Sequence, residues 1–244
     1  MDTVEQEFLK DTYLKNCLVS KKAQGLPAPE IEKSFPMGTH LIQLPEPELL
    51  PDHQVSFLEM MELRSTIRQY SDEALSMKDL SYLLWCTQGV KMSLPGGGSM
   101  RTVPSAGARH ALETYLYIQR VEGLDAGLYR FLPLEHALIL LKPAETIETA
   151  LLSGFKAAPM VKASAVTFMW GARLEAMTYA FDKRAYRYLF LDAGHVCQNL
   201  YLAAYTLNAG VCAVGAFYDA EINAALSLDG SNEFIVYAAT VGKI

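Results

Sequence analysis

The chain has 244 residues, 51% hydrophobic and 20% charged. These are globular values, with enough length to bury one large core, and they exclude a disordered chain. A net charge of -6 leaves no general basic face, so neither nucleic acid nor an anionic membrane is expected as a partner, while a local basic pocket for a small phosphate stays open.

Residues 2–17 place Val4, Phe8, Leu9 and Tyr13 at helical spacing and predict an amphipathic helix. Its polar, acidic start, Met1 to Lys10, does not read as a signal peptide. Within residues 25–52 fall Pro27, Pro29, Pro36, Pro45, Pro47 and Pro51, six of the eleven prolines. Proline fixes φ and removes a donor, so this segment is expected to be extended and to lie over the main body or a partner subunit. The chain therefore divides into residues 1–55, a helix and an arm, and residues 56–244, the main domain. There, Ser76-Met77-Lys78-Asp79 predicts the cap of a helix to Gln88, with Gly89 as its C′ residue. Residues 91–103, centred on Gly96-Gly97-Gly98, read as a loop. Strands are expected over Leu112 to Gln119, at 128–132, 137–142, Ala165 to Trp170 and Glu233 to Val241, with a short helix from Glu145 to Leu152. Arg184 to Asn208 is the dominant helix, apolar nearly all round and expected to be buried, yet Asp192, His195 and Asn199 interrupt it, so no membrane span is predicted. Cys17, Cys86, Cys197 and Cys212 have no metal-site spacing and no CxxC. They are expected to be reduced core residues of a cytoplasmic protein, and no metal is expected. This order of elements points to an α+β fold, a mostly antiparallel sheet with helices around it.

Four segments could carry chemistry. Arg64-Ser65-Thr66-Ile67-Arg68 offers two guanidiniums and two hydroxyls, the donors a phosphate needs, and is otherwise a solvated turn. The run Arg101 to Ala108 contains Pro104, Ser105, Ala106 and Gly107, small residues whose backbone can approach a flat ligand, or it is an ordinary loop entering a strand. The apolar run from Gly210 to Phe217, with Val214, Gly215 and Ala216, could place backbone N–H groups near a planar cofactor, or is a buried turn. Lys243 could reach a phosphate, or is a solvated tail. Asp192, His195 and Asn199 share a helix face and read as a hydrogen-bonded polar seam in the core rather than a metal or acid–base cluster. No GxGxxG, P-loop lysine or HExxH is present.

In this order the segments resemble the nitroreductase-like FMN-dependent oxidoreductases, and their SagB-type dehydrogenase branch, from about Leu63 to Lys243. The run Arg64-x-Thr66-x-Arg68 is similar to the family's first signature, and Arg101 to Ala108 to its second. Val121 to Tyr129, Arg184 to Ala204, Cys212 to Asp219 and Val241 to Lys243 follow in register. The resemblance implies an intertwined homodimer with two FMN sites at its interface. It implies that Arg64, Ser65, Thr66, Arg68 and Lys243 hold the phosphate. Pro104, Ser105, Ala106 and Gly107 would line the ring, and Val214, Gly215 and Ala216 would bring backbone to flavin N5. NAD(P)H would reduce the flavin and leave, and a small organic acceptor would then take its place, so no catalytic side chain is nominated. Two alternatives remain: a peptide azoline dehydrogenase and a non-catalytic flavin-binding protein. Azoline-oxidising members resemble one another in a Lys-Tyr pair where this chain has Ala180-Phe181. Arg109 and His110 also depart from the family pattern, as pocket residues or as surface residues at a strand start.

Overall fold

The computed structural model describes residues 3–46, 56–94 and 98–244. Pro47 and Pro51 of the arm, and Gly96 and Gly97 of the glycine run, lie outside the described residues. In chain order the elements are α1 (Val4–Asp11), β1 (Ile42–Gln43), α2 (Phe57–Leu63), α3 (Met77–Gln88), β2 (Val90–Ser93), β3 (Ser99–Arg101), β4 (Leu112–Ile118), β5 (Gly127–Leu132) and β6 (Ala137–Pro143). Then come α4 (Ala144–Ser153), α5 (Ala158–Ala163), β7 (Val166–Arg173), α6 (Leu174–Phe181), α7 (Ala185–Thr206), β8 (Ala209–Val214), α8 (Asp219–Ala225) and β9 (Glu233–Lys243).

Seven strands form one sheet in the order β1-β6-β5-β4-β7-β9-β8, and each of these neighbours pairs antiparallel. The α+β class expected from the sequence is the observed one. Side chains alternate across the sheet with the period of two that a strand imposes. Leu116, Ile118, Phe168 and Trp170 point into one apolar cluster with Leu80, Leu83 and Leu84 of α3 and Leu189, Val196 and Leu200 of α7. Tyr115, Tyr117 and Met169 point to the other face, against Ile147 and Leu151 of α4, Val161 of α5 and Ile222 of α8. Each fully buried leucine or isoleucine contributes about 1.5–3 kcal/mol, so the sheet is held from both faces.

α3 begins as predicted. The Ser76 hydroxyl accepts from Asp79 N at 3.0 Å, and the Asp79 carboxylate accepts from Ser76 N at 3.1 Å. Its end is different in kind. Gly89 has φ -57, not left-handed, and a Cβ there would lie 2.3 Å from the Trp85 ring. Close approach, not a positive φ, requires this glycine.

α7 stops at Thr206, and Asn208 turns left-handed at φ 51 to start β8. It is not buried all round. Leu189, Ala193, Val196 and Leu200 are buried, whereas Phe190 and Leu191 are about half exposed (52% and 53%). The N-terminal helix ends at Asp11, and a separate single turn spans Leu14–Asn16. The arm lies on the body. Lys22 N donates to Tyr179 O at 2.9 Å, the Tyr179 hydroxyl donates to Leu26 O at 3.0 Å, and Arg130 donates to Lys33 O and Ser34 O at 3.0 and 3.2 Å.

Other expectations need correction. Residues 91–103 include an antiparallel hairpin of β2 and β3, with a register shift between Val90 and Met92. Its short strands carry little apolar contrast beside the glycines between them. Residues 209–214 are a buried strand, not a turn. Helices α2, α5, α6 and α8 have 7, 6, 8 and 7 residues, about two turns each, too short for a periodic signal. Cys197 and Cys212 are buried, but Cys17 lies partly exposed on the N-terminal segment and Cys86 is half-buried; all four are free. Among the described residues no helix is long and apolar enough to cross a membrane.

Candidate functional site

α7 carries two anchors, Asp192 and Tyr201. They are nine residues apart, about 13.5 Å along the axis at 1.5 Å per residue. Each gathers a different set of the candidate residues.

At Tyr201, the hydroxyl accepts from Ala213 N at 2.9 Å and lies 3.3 Å from Thr66 Oγ1, while the Arg64 guanidinium sits over the ring at 5.4 Å. The chain at 64–71 is fastened to the sheet edge by Ile67 N to Val211 O and Ser71 N to Lys243 O, both 2.9 Å. Two glycines make that approach possible. A Cβ at Gly210 would stand 2.5 Å from Ile67, and one at Gly242 would stand 2.8 Å from Tyr70. Arg64 and Thr66 are thus half-buried, and Ser65 and Arg68 exposed, beside the end of β8. Val214 is buried there, while Gly215 and Ala216 are exposed. A Cβ at Gly215 would meet only the Tyr237 ring, at 4.0 Å, so a flat group has room beside this backbone. Two guanidiniums, two hydroxyls and an open backbone edge fit a phosphorylated planar cofactor.

Lys243 closes the same region from behind. Its ammonium lies 3.2 Å from the Asp79 carboxylate and donates to Leu207 O at 2.9 Å. It ties the first turn of α3 to the C-terminal end of α7, where a cation is favoured.

At Asp192, the buried carboxylate accepts from Ser105 Oγ at 2.6 Å and from Ala106 N at 3.1 Å. Burial raises its pKa, and these two bonds pull it back. Ser105 Oγ also accepts from His110 N at 2.9 Å. Between them Gly107, Ala108 and His110 have φ 56, 50 and 45, so the loop holds two non-glycine residues in a costly region of backbone space. Gly107 is doubly required, because a Cβ there would lie 2.8 Å from the Phe181 ring. Phe181 packs edge-on against Tyr188 at 4.7 Å. Where azoline-oxidising relatives are expected to have Lys-Tyr, Phe181 is an apolar support under the loop.

The structure thus brings Arg64, Ser65 and Thr66 to Tyr201 beside Ala213, with Val214, Gly215 and Ala216 following at the end of β8, while Arg68 is exposed on the same segment. It holds Pro104, Ser105, Ala106 and Gly107 at the other anchor. Arg101 is buried and donates to Gln88 Oε1 at 3.0 Å and Ser99 Oγ at 3.2 Å, with its pKa pushed down to about 10 by burial. His110 is pushed down to about 3 by burial and then by Arg101, so it is neutral. The expected polar seam splits: Asp192 is buried and Asn199 donates to Cys86 O at 2.9 Å, but His195 faces solvent. A helix face cannot be sorted into core and surface when apolar residues surround it. Tyr201 and Tyr237 are not among the residues the sequence singles out, and Asp192 is expected there only as part of that seam. An aromatic residue in an apolar helix carries no sign that its hydroxyl anchors a loop. Among the described residues no group of three or more His, Cys, Asp or Glu side chains is placed to hold a metal.

Compared with known proteins, residues 61–243 match the model of the nitroreductase family. A candidate nitroreductase of Methanocaldococcus jannaschii is 31% identical over 202 residues, covering 83% of this chain and 96% of that one. The trifolitoxin-processing protein TfxB of Rhizobium leguminosarum bv. trifolii is 28% identical over 67% of this chain, which spans only 45% of TfxB. The crystal structure of a candidate nitroreductase from Ralstonia eutropha superposes with a TM-score of 0.69 at 26% identity, over 89% of this chain and 98% of that chain. One from Desulfovibrio desulfuricans, in complex with FMN, has a TM-score of 0.56 at 18% identity, over 78% of this chain and 86% of that chain, and so shares the fold.

Proposed function

This chain belongs to the nitroreductase family, and on that premise we propose that it is an FMN-dependent oxidoreductase passing reducing equivalents from NAD(P)H to a small organic acceptor. The observation that carries the reading is the meeting of the Arg64–Arg68 segment with the open end of β8 on Tyr201. The FMN in a structure of the same fold supports it.

In this reading Arg64, Ser65, Thr66 and Arg68 bind the phosphate, while Lys243, expected to join them, is instead held by Asp79 and Leu207 O and ties α3 to the end of α7. Gly215 and Ala216 would present backbone N–H groups to the ring, and Val214, buried at the end of β8, would fix their backbone direction. Pro104, Ser105, Ala106 and Gly107 line the ring and exclude water. That loop is pinned at a separate anchor, Asp192, about 13.5 Å along α7 from Tyr201; in this reading it serves the cofactor held by a second copy, in the homodimer that the family resemblance implies. When bound, FMN supplies the redox chemistry, accepting hydride and delivering electrons. The protein's own groups bind, orient and stabilise negative charge on the ring. The four free cysteines suit a reducing cytoplasm.

A second reading, oxidation of azolines in a peptide, is favoured by the likeness to a trifolitoxin-processing protein. The apolar packing of Phe181 counts against it. Purified protein should be yellow, and its colour should bleach anaerobically with NADH or NADPH. Bound flavin that neither nicotinamide reduces would leave a non-catalytic flavin-binding protein instead.

A further inference from the structure

The arm precedes the family match at 61–243, yet it walls a cavity beside the loop that pairs with Asp192. We propose that Lys22 of the arm and Arg109 of the loop form a subsite for the carboxylate of an anionic organic substrate; this rests on the flavin reading above, which puts the same loop against the ring.

The cavity is about 330 Å³ and is lined by Lys22, Pro29, Glu30, Gly98, Arg109 and Tyr179, among others. Across Ala108 it adjoins a second cavity of about 410 Å³, which reaches Lys91, Pro104, Ser105 and His110. The second cavity thus touches the proposed ring-lining residues, and the first lies one residue's width beyond. A substrate with its reducible group at Pro104 and Ser105 would extend its far end toward Arg109. That far end meets cations. Lys22, Arg109 and Lys91 line the pair of cavities against the single carboxylate of Glu30. Arg101 is spent on Gln88 and Ser99, and His110 is neutral.

Arg109 is prepared for this role. Its Nε donates to Ala176 O at 3.0 Å and its guanidinium lies over the Tyr179 ring at 5.1 Å. Among the described residues its two terminal nitrogens donate to no protein acceptor, which leaves a fork suited to a carboxylate. Lys22 is fixed through its backbone, since its N–H donates to Tyr179 O while the Tyr179 hydroxyl donates to Leu26 O. Tyr179 therefore sets both cations relative to one another. Arg109 stands between Ala108 and His110, both at positive φ, before β4 begins at Leu112.

The test pairs a charged with a neutral acceptor on the full-length holoprotein: para-nitrobenzoate against nitrobenzene, with Arg109→Gln, Arg109→Lys and Lys22→Gln. Lys22→Gln, on the exposed arm, keeps the test decisive if Arg109→Gln loosens α6. Loss of either cation should raise KM for para-nitrobenzoate about tenfold, leave nitrobenzene and the flavin spectrum unchanged, and be partly rescued in Arg109→Lys. Calorimetry with benzoate, which needs no turnover, should show binding that benzamide lacks and that both Gln variants weaken. Equal effects on both acceptors, or a yellow protein that ignores benzoate, would overturn the subsite. So would an effect confined to NADPH over NADH, since it would assign the cations to the nicotinamide phosphate. A colourless protein that still binds benzoate would sink the flavin reading and keep the subsite.

Discussion

At the scale of single residues, the charges of this protein divide into those already spent and those still available. Arg101 and Lys243 are committed to protein acceptors, whereas Arg64 lies over an aromatic face and Arg68 is exposed. Replacing Arg64 or Arg68 by alanine should weaken FMN binding by roughly 1.5–3 kcal/mol each, the worth of a hydrogen bond to a charged group. Titration of stripped protein with FMN reads this directly, and wild-type affinity in both variants would remove the phosphate assignment. Glu32 is a titrating residue of a different kind. Burial first, then the carboxylates of Glu135 and Glu113, push its pKa up from 4.5 to about 8. In that window the folded chain keeps a proton that the unfolded chain has released, so stability is full below 4.5 and falls as pH rises toward about 8. Glu32→Gln should therefore raise the unfolding midpoint at alkaline pH and leave it unchanged in acid. An equal shift at both ends would show that the carboxyl is ionised in the folded protein.

At the scale of elements, the candidate site depends on two glycines in neighbouring strands. Gly210 and Gly242 let the 64–71 segment lie against β8 and β9. Gly210→Ala would press a methyl into Ile67, an overpacking cost of about 1–3 kcal/mol. It should lower flavin affinity as well, because Arg64 and Thr66 ride on the same segment. Denaturant unfolding and flavin titration on one sample would check both. A destabilised variant with unchanged affinity would separate the arginines from that contact. Elements with strong local signals were legible in the sequence: the Ser76 cap, the strands at 112–119 and 233–241, and the long helix. The hairpin at 90–101 and the helices α2, α5, α6 and α8 were not, being too short for periodicity to rise above composition. The candidate site was legible as a set of motifs in order, because arginines, glycines and small residues mark themselves. How the motifs divide between Tyr201 and Asp192 was not, because that division follows from which face of α7 each loop reaches.

At the scale of the whole molecule, apolar side chains remain outside. Phe57, Leu58, Met61 and Leu63 on α2, with Phe190 and Leu191 on α7, are all about half exposed or more. So much apolar surface on two elements is unusual for a monomer. Sedimentation should find a dimer, and apparent flavin affinity should fall on dilution as the dimer dissociates. A monomer that keeps FMN at every concentration would contradict the shared site.

The short strand β1 has a role beyond pairing. Ile42 and Gln43 cover Leu138 and Ala137 at one margin of the sheet, and farther along that strand Leu140 and Leu141 already face water. A protein trimmed to residues 61–243 would bare that margin's unpaired amides and carbonyls, a template on which other molecules can add strand by strand. Such a fragment should turn cloudy on standing where the intact chain stays clear, which would make the arm a guard against polymer growth.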